Sequence, residues 1–223
     1  MKTGKPKTAH DVRRLRTEQP NDDAANLDQK SAIEIARLIN AEDATVAAAV
    51  GRALPQIARA IDVVAAALRR GGRLIYVGAG TSGRIGALDA AECAPTFNLA
   101  TRTVQFIIAG GPKALGTPSE SSEDDRKLGH DEMARRKPGK GDVVVGIASS
   151  GRTPFTVVAI EYARGRGAKT IALTCNRNSP LARAGAARKP SPSRATAIRR
   201  WRARPAFPSS PTLARRFLPD RLA

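Results

Sequence analysis

The sequence is poor in residues that hold metals. It has two cysteines, Cys93 and Cys175, and two histidines, His10 and His130. The cysteines stand far apart and at no ligand spacing, which excludes zinc fingers and iron–sulfur clusters and fits a reducing cytosol. Zinc and iron–sulfur sites are therefore not expected. There is no run of eighteen apolar residues, so no segment reads as a membrane span. The opening "MKTGKPKTAHDVRRLRTE" is basic but has none of the apolar stretch that a secretory signal needs. A cytoplasmic location follows as the expectation.

Acidic residues are scarce relative to basic ones. Against 38 Lys and Arg stand 20 Asp and Glu, a net charge of +18. Such a balance points first to nucleic acid, but its distribution argues otherwise. Residues 185–223 hold nine arginines and one lysine against Asp220 alone, so half of the excess lies in the last 39 residues. That stretch, "GAARKPSPSRATAIRRWRARPAFPSSPTLARRFLPDRLA", contains six prolines and eight alanines and shows neither a helical nor a strand period. It reads either as a disordered basic tail or as a GC-rich gene translated out of frame. With the charge so concentrated there, nucleic acid is not expected as the partner of the rest.

The remainder has the makings of a core, with 41% hydrophobic residues in the whole chain. Residues 1–30 are polar and aperiodic. From Ser31 apolar residues recur at helical spacing, predicting helices over about 31–39, after Asp43 and over about 53–70. Pro55 falls in the first turn of the last of these, and Gly71-Gly72 ends it. Four short apolar runs follow: "RLIYVG" (73–78), "TVQFIIAG" (103–110), "DVVVGIAS" (142–149) and "KTIALTC" (169–175). They are apolar throughout, as in strands covered on both faces. Helix candidates lie between them at about 83–93, 123–137 and 153–166. Alternating strand and helix predicts a parallel sheet in a three-layer α/β/α domain.

Two strand ends carry similar loops. "GAGTSGR" (78–84) follows the first strand and "SSGRTP" (149–154) the third. Ligands of open α/β sheets bind at such carboxyl ends. Glycine lets the backbone approach an anion, and free N–H groups at a helix start favour negative charge. The hydroxyls of Thr81, Ser82, Ser149, Ser150 and Thr153 add neutral donors, which suggests a phosphate-bearing ligand. The spacing G-x-G-x-x-G also suits a dinucleotide, but that use wants an acid at the end of the next strand. "FIIAGGPKAL" has none there. Helix capping by Ser and Thr is the third reading.

"GRLIYVGAGTSGRIGALDAAECAPTF" and "GDVVVGIASSGRTPFTVVAIEYAR" closely resemble the N-acetylmuramic acid 6-phosphate etherases, enzymes of the sugar isomerase (SIS) fold. "TEQPNDDAANLDQKSAIEIARLINAEDATV" and "IALTCNRNSPLA" are similar to them as well, so the resemblance runs over roughly 17–184. It implies an α/β/α SIS fold with four of five parallel strands present, and a chain truncated or frameshifted after about residue 184. The division implied is an N-terminal arm and helices (1–50), an incomplete SIS sugar-phosphate domain (51–184) and the basic tail (185–223). The family removes the D-lactyl ether of a phosphorylated amino sugar by elimination and hydration, without cofactor, as a homodimer whose site lies between subunits. By resemblance Glu92 is the acid and Glu123 the base. Thr81, Ser82, Gly83, Ser149, Ser150 and Thr153 would bind the substrate and its phosphate. Read without the family, Glu92 is a solvated or paired carboxylate. Glu123, beside Glu120, Asp124 and Asp125, is then helix-dipole compensation. His10 and His130 read as solvated, Cys93 as a small packed residue, and Trp201 lies in the tail.

Overall fold

The computed structural model describes residues 16–185. The tail beyond Gly185 and the first fifteen residues, with His10 and Trp201, lie outside that range. Three short 3-10 turns lead into α1 (Ala32–Gly51). Its start is a capping box: Glu34 accepts from the Ser31 backbone N–H at 2.8 Å while Ser31 caps the first turn. The sequence predicts two helices here, and the structure has one. No Gly or Pro interrupts residues 32–50, and the alanines after Asn40 carry helix across the polar "NAED". α1 buries no residue, and Ile33, Ile39, Val46 and Val50 stand exposed. After α2 (Leu54–Leu68), Gly71 turns the chain left-handed at φ 77° and delivers it to the sheet.

The strands are β1 (Leu74–Gly78), β2 (Val104–Ile108), β3 (Val143–Ile147) and β4 (Lys169–Leu173), all parallel in the order β2-β1-β3-β4. α3 (Gly80–Phe97) joins β1 to β2. The short α4 (Glu120–Glu123) and α5 (Arg126–Arg136) lead to β3, α6 (Pro154–Gly165) joins β3 to β4, and α7 (Pro180–Gly185) follows. The segment expected as one helix over about 123–137 is thus split. Asp125 breaks it by leaving helical geometry and accepting from the Leu128 N–H at 2.8 Å, as the N-cap of α5.

Alternation along each strand sorts the apolar runs into two cores. Leu74, Val104, Val143 and Val145 face Ala67 of α2 and Ala90 of α3. Ile75, Val77, Ile107 and Val144 face Met133 of α5, Phe155 and Ile160 of α6, and Leu181 of α7. This is the expected three-layer α/β/α fold. β4 is an edge, with Leu173 57% exposed.

Because β1 lies between β2 and β3, the chain leaves β1 towards one side and β3 towards the other. The crevice between their carboxyl ends is the topological switch point. At the amino ends a clamp joins the same two strands. Asp142, 7% exposed, accepts from the Arg73 backbone N–H, its Nε and its Nη2 (2.7 Å), and from the Gly139 N–H. Burial pushes the Asp142 carboxyl up, but these donors outweigh it and hold it below the usual carboxylate range. Asp142→Ala is expected to cost about 2–4 kcal/mol, since it strands a half-buried guanidinium. Denaturant unfolding measures this. A depressed folded pKa means the contribution is full above the unfolded carboxyl value. It is lost as pH falls through the folded one, so parent and variant should converge in stability in strong acid.

Candidate active site

The first loop is shaped by close approach. A Cβ on Gly78 would sit 2.8 Å from the Gly83 N and 3.1 Å from the Ile147 carbonyl oxygen. One on Gly83 would sit 2.7 Å from Ile108 Cγ1 and 2.9 Å from the Gly78 oxygen. These glycines let α3 start hard against the ends of β1, β2 and β3. Gly80 is left-handed at φ 52°. The first helical bond is Gly83 N–H to the Ala79 carbonyl at 3.1 Å, so the N–H groups of Gly80, Thr81 and Ser82 precede the ladder and point out of the helix start. Thr81 is exposed and Ser82 half-buried.

The second loop lies beside it, since Gly78 pairs with Ile147. Ser150 Oγ accepts from the Arg152 N–H at 3.2 Å, and Gly151 is left-handed at φ 67°. Thr153 precedes α6, and its side chain caps no helix N–H. The loop is braced from β4. The Ser149 carbonyl accepts from Thr174 Oγ1 at 3.1 Å, from the Cys175 N–H at 3.0 Å and from Asn176 Nδ2 at 3.3 Å. Asn176, itself buried, also donates to the Ser150 carbonyl. Hydroxyls of both loops and the leading amide groups of α3 therefore share the switch point.

The two glutamates part company. Glu123 is half-buried, and its Oε1 lies 3.0 Å from the place a Cβ on Gly80 would occupy. α4 also packs on α6, so the carboxylate stands over the first loop and beside the element that carries the second. Glu92 is exposed on α3. It lies twelve residues beyond Gly80, a rise of about 18 Å at ~1.5 Å per residue. Within one chain it does not meet Glu123. Thr81, Ile85, Leu88 and Glu92 instead form one exposed stripe along α3, with Ile85 58% and Leu88 64% exposed.

Residues 56–164 match the family described as glucokinase regulatory protein N-terminal SIS domain. An N-acetylmuramic acid 6-phosphate etherase of Streptomyces avermitilis is 53% identical over 170 residues, 76% of this chain and 55% of that protein. One of Clostridium beijerinckii is 44% identical over 172 residues, 77% of this chain and 57% of that protein. The chain belongs to the N-acetylmuramic acid 6-phosphate etherase family. It spans just over half the length of these curated etherases. A phosphoheptose isomerase from Francisella tularensis shares the fold, at 20% identity and TM-score 0.50 over 69% of this chain and 79% of that one.

Several residues of this etherase-family site were not singled out in the sequence. Thr174 and Asn176 brace the second loop, and the only signal for them was polar residues directly after a strand. Arg84 stands at the end of the first loop's "GAGTSGR". Its Nε donates to the Ala114 and Leu115 carbonyls, 3.1 Å each. Cys93 behaves as expected: burial, then the neighbouring Asp89, pushes its thiol up, so it stays protonated and unreactive. Burial and a hydrogen bond with Asp89 push the Tyr76 phenol up too. His130 is exposed and pairs with Asp131 at 3.0 Å.

Proposed function

We propose that this protein cleaves the D-lactyl ether of N-acetylmuramic acid 6-phosphate, giving N-acetylglucosamine 6-phosphate and D-lactate, in amino sugar recycling. The observation that carries the reading is Glu123 standing over Gly80 where two hydroxyl loops share a switch point. The similarity to N-acetylmuramic acid 6-phosphate etherases supports the substrate. Thr81, Ser82 and Gly83 from one loop and Ser149, Ser150 and Thr153 from the other hold the sugar phosphate. Donors at two helix starts favour a dianion, and glycine permits its close approach.

The chemistry requires only proton transfers and water. Glu123 takes the proton from carbon 2 of the open-chain aldehyde. The bond from carbon 3 to the ether oxygen breaks, a double bond forms between carbons 2 and 3, and an acid protonates the departing oxygen so that lactate leaves. Water then adds its hydroxyl to carbon 3 and gives up its proton to the acid, while Glu123 returns to carbon 2 the proton it took. Metal and organic cofactor have no step in this sequence.

Glu92 is the acid, supplied by a second copy. Its distance from the loop in its own chain supports this, as does the exposed Ile85–Leu88 stripe that a partner helix would cover. A homodimer in the cytoplasm completes the proposal. A cavity of about 280 Å³, lined by Ala90, Ala94, Val104, Phe106 and Arg136 among others, lies at the opposite end of α3 and takes no part.

The test is D-lactate release from the phosphorylated substrate by purified chain. Release is expected, and the double variant Ser82→Ala, Ser150→Ala should raise KM about 10- to 100-fold by removing two phosphate donors worth about three- to tenfold each. Binding of N-acetylglucosamine 6-phosphate without any lactate release would instead make the chain a sugar-phosphate sensor.

A further inference from the structure

Glu123 sits on a four-residue helix at the end of a long connection from β2, and a base on such a segment needs something to hold it. Three contacts do so. Gly110, left-handed at φ 83°, lies so close to Ser119 that a Cβ there would meet the serine Cβ and Oγ at 2.7 Å each. Ser119 Oγ in turn pairs with Ser122 Oγ at 2.7 Å, one residue before the glutamate. Between these points the chain makes a 3-10 turn, Pro112–Leu115, whose last carbonyls are left over by the turn's own ladder. Arg84 reaches across from α3 and gives Nε to two of them, Ala114 and Leu115.

Arg84 and Gly80 lie one turn apart on the same helix. The connection is therefore held to α3 twice, once by the guanidinium at its turn and once where Glu123 lies over the glycine. We infer that Arg84 is a positioning residue for Glu123: by fixing the Ala114–Leu115 turn to α3 it sets where the carboxylate stands over Gly80. The effect is on geometry and not on substrate binding, since the Arg84 Nε is taken up by the protein's own carbonyls. A flat guanidinium can place one N–H between two carbonyls. A lysine ammonium keeps the charge but lacks that fixed fork.

This inference rests on the etherase reading for its kinetic arm, and has a second arm that does not. In the full chain, Arg84→Ala should lower kcat about 10- to 100-fold, the loss expected from displacing a reacting group by about 1 Å. KM should change less than about threefold, because the phosphate donors stay in place. Guanidinium ions in the assay should restore part of kcat, and Arg84→Lys should fall between parent and Ala variant. Independently, amide hydrogen exchange over 112–123 should quicken about tenfold or more in Arg84→Ala, while β1 and β3 exchange as in the parent. Unchanged exchange over 112–123 overturns the inference, as does an unchanged kcat in an active parent. If the parent itself releases no lactate, the etherase reading falls, and the exchange comparison still decides whether Arg84 holds the segment.

Discussion

Glu123→Gln is expected to slow D-lactate release by roughly a thousandfold while leaving KM within about threefold, the range for losing a general base. Glutamine keeps the size and the hydrogen-bonding reach of the side chain and gives up only the capacity to take a proton. α4 is four residues long and Glu123 belongs to neither apolar core, so the substitution is expected to leave the fold intact. Steady-state kinetics with lactate as the readout measures it, with Asp124→Asn as the comparison. Asp124 is exposed in the same acidic cluster. If the cluster served only to offset a helix dipole, the two variants would behave alike, each changing little. A large loss for Glu123 and none for Asp124 assigns the proton transfer.

The second large effect is a recovery. Glu92→Gln alone and Glu123→Gln alone should each be nearly inactive. Mixed, unfolded and refolded together, they should regain about a quarter of parent activity. In a two-fold dimer half of the random pairs are mixed, and each mixed pair has one site with both carboxylates intact. The prediction follows from the rise of about 18 Å that separates Glu92 from the first loop along α3. It fails if the mixture is no more active than its components, which would return the acid's role to a group in the same chain. The stripe through Ile85 and Leu88 offers a parallel check. Ile85→Asp should convert the proposed dimer into monomer by light scattering and abolish the proposed lactate release with it.

The strands, their order of appearance and the helices between them were legible because each apolar run is bounded by glycine, proline or a charged turn. Boundaries failed where local polarity misled. "NAED" looked like an interruption, yet alanine on both sides keeps α1 continuous. Asp125 looked like helix interior and is a cap. At the site, the hydroxyl loops were readable because Gly, Ser and Thr cluster at strand ends. The bracing by Asn176 and the reach of Arg84 were not, because both join segments remote in sequence: Asn176 to the loop 26 residues before it, Arg84 to a turn 30 residues after. Glu92 shows the opposite failure. The resemblance implied a site between subunits, yet one-dimensional spacing along α3 did not tell whether Glu92 serves its own chain's site or a partner's.

The clamp of Asp142 on Arg73 closes the amino ends of β1 and β3, and the hydroxyl loops open from their carboxyl ends. If the proposed activity and the predicted weight of the clamp both hold, heat tolerance and turnover answer to opposite poles of one sheet. A breeder of variants could select at one pole without eroding the other, and a lineage adapting to a warmer habitat would be expected to change its sequence around residues 136–142 while leaving 78–84 and 149–154 as they are.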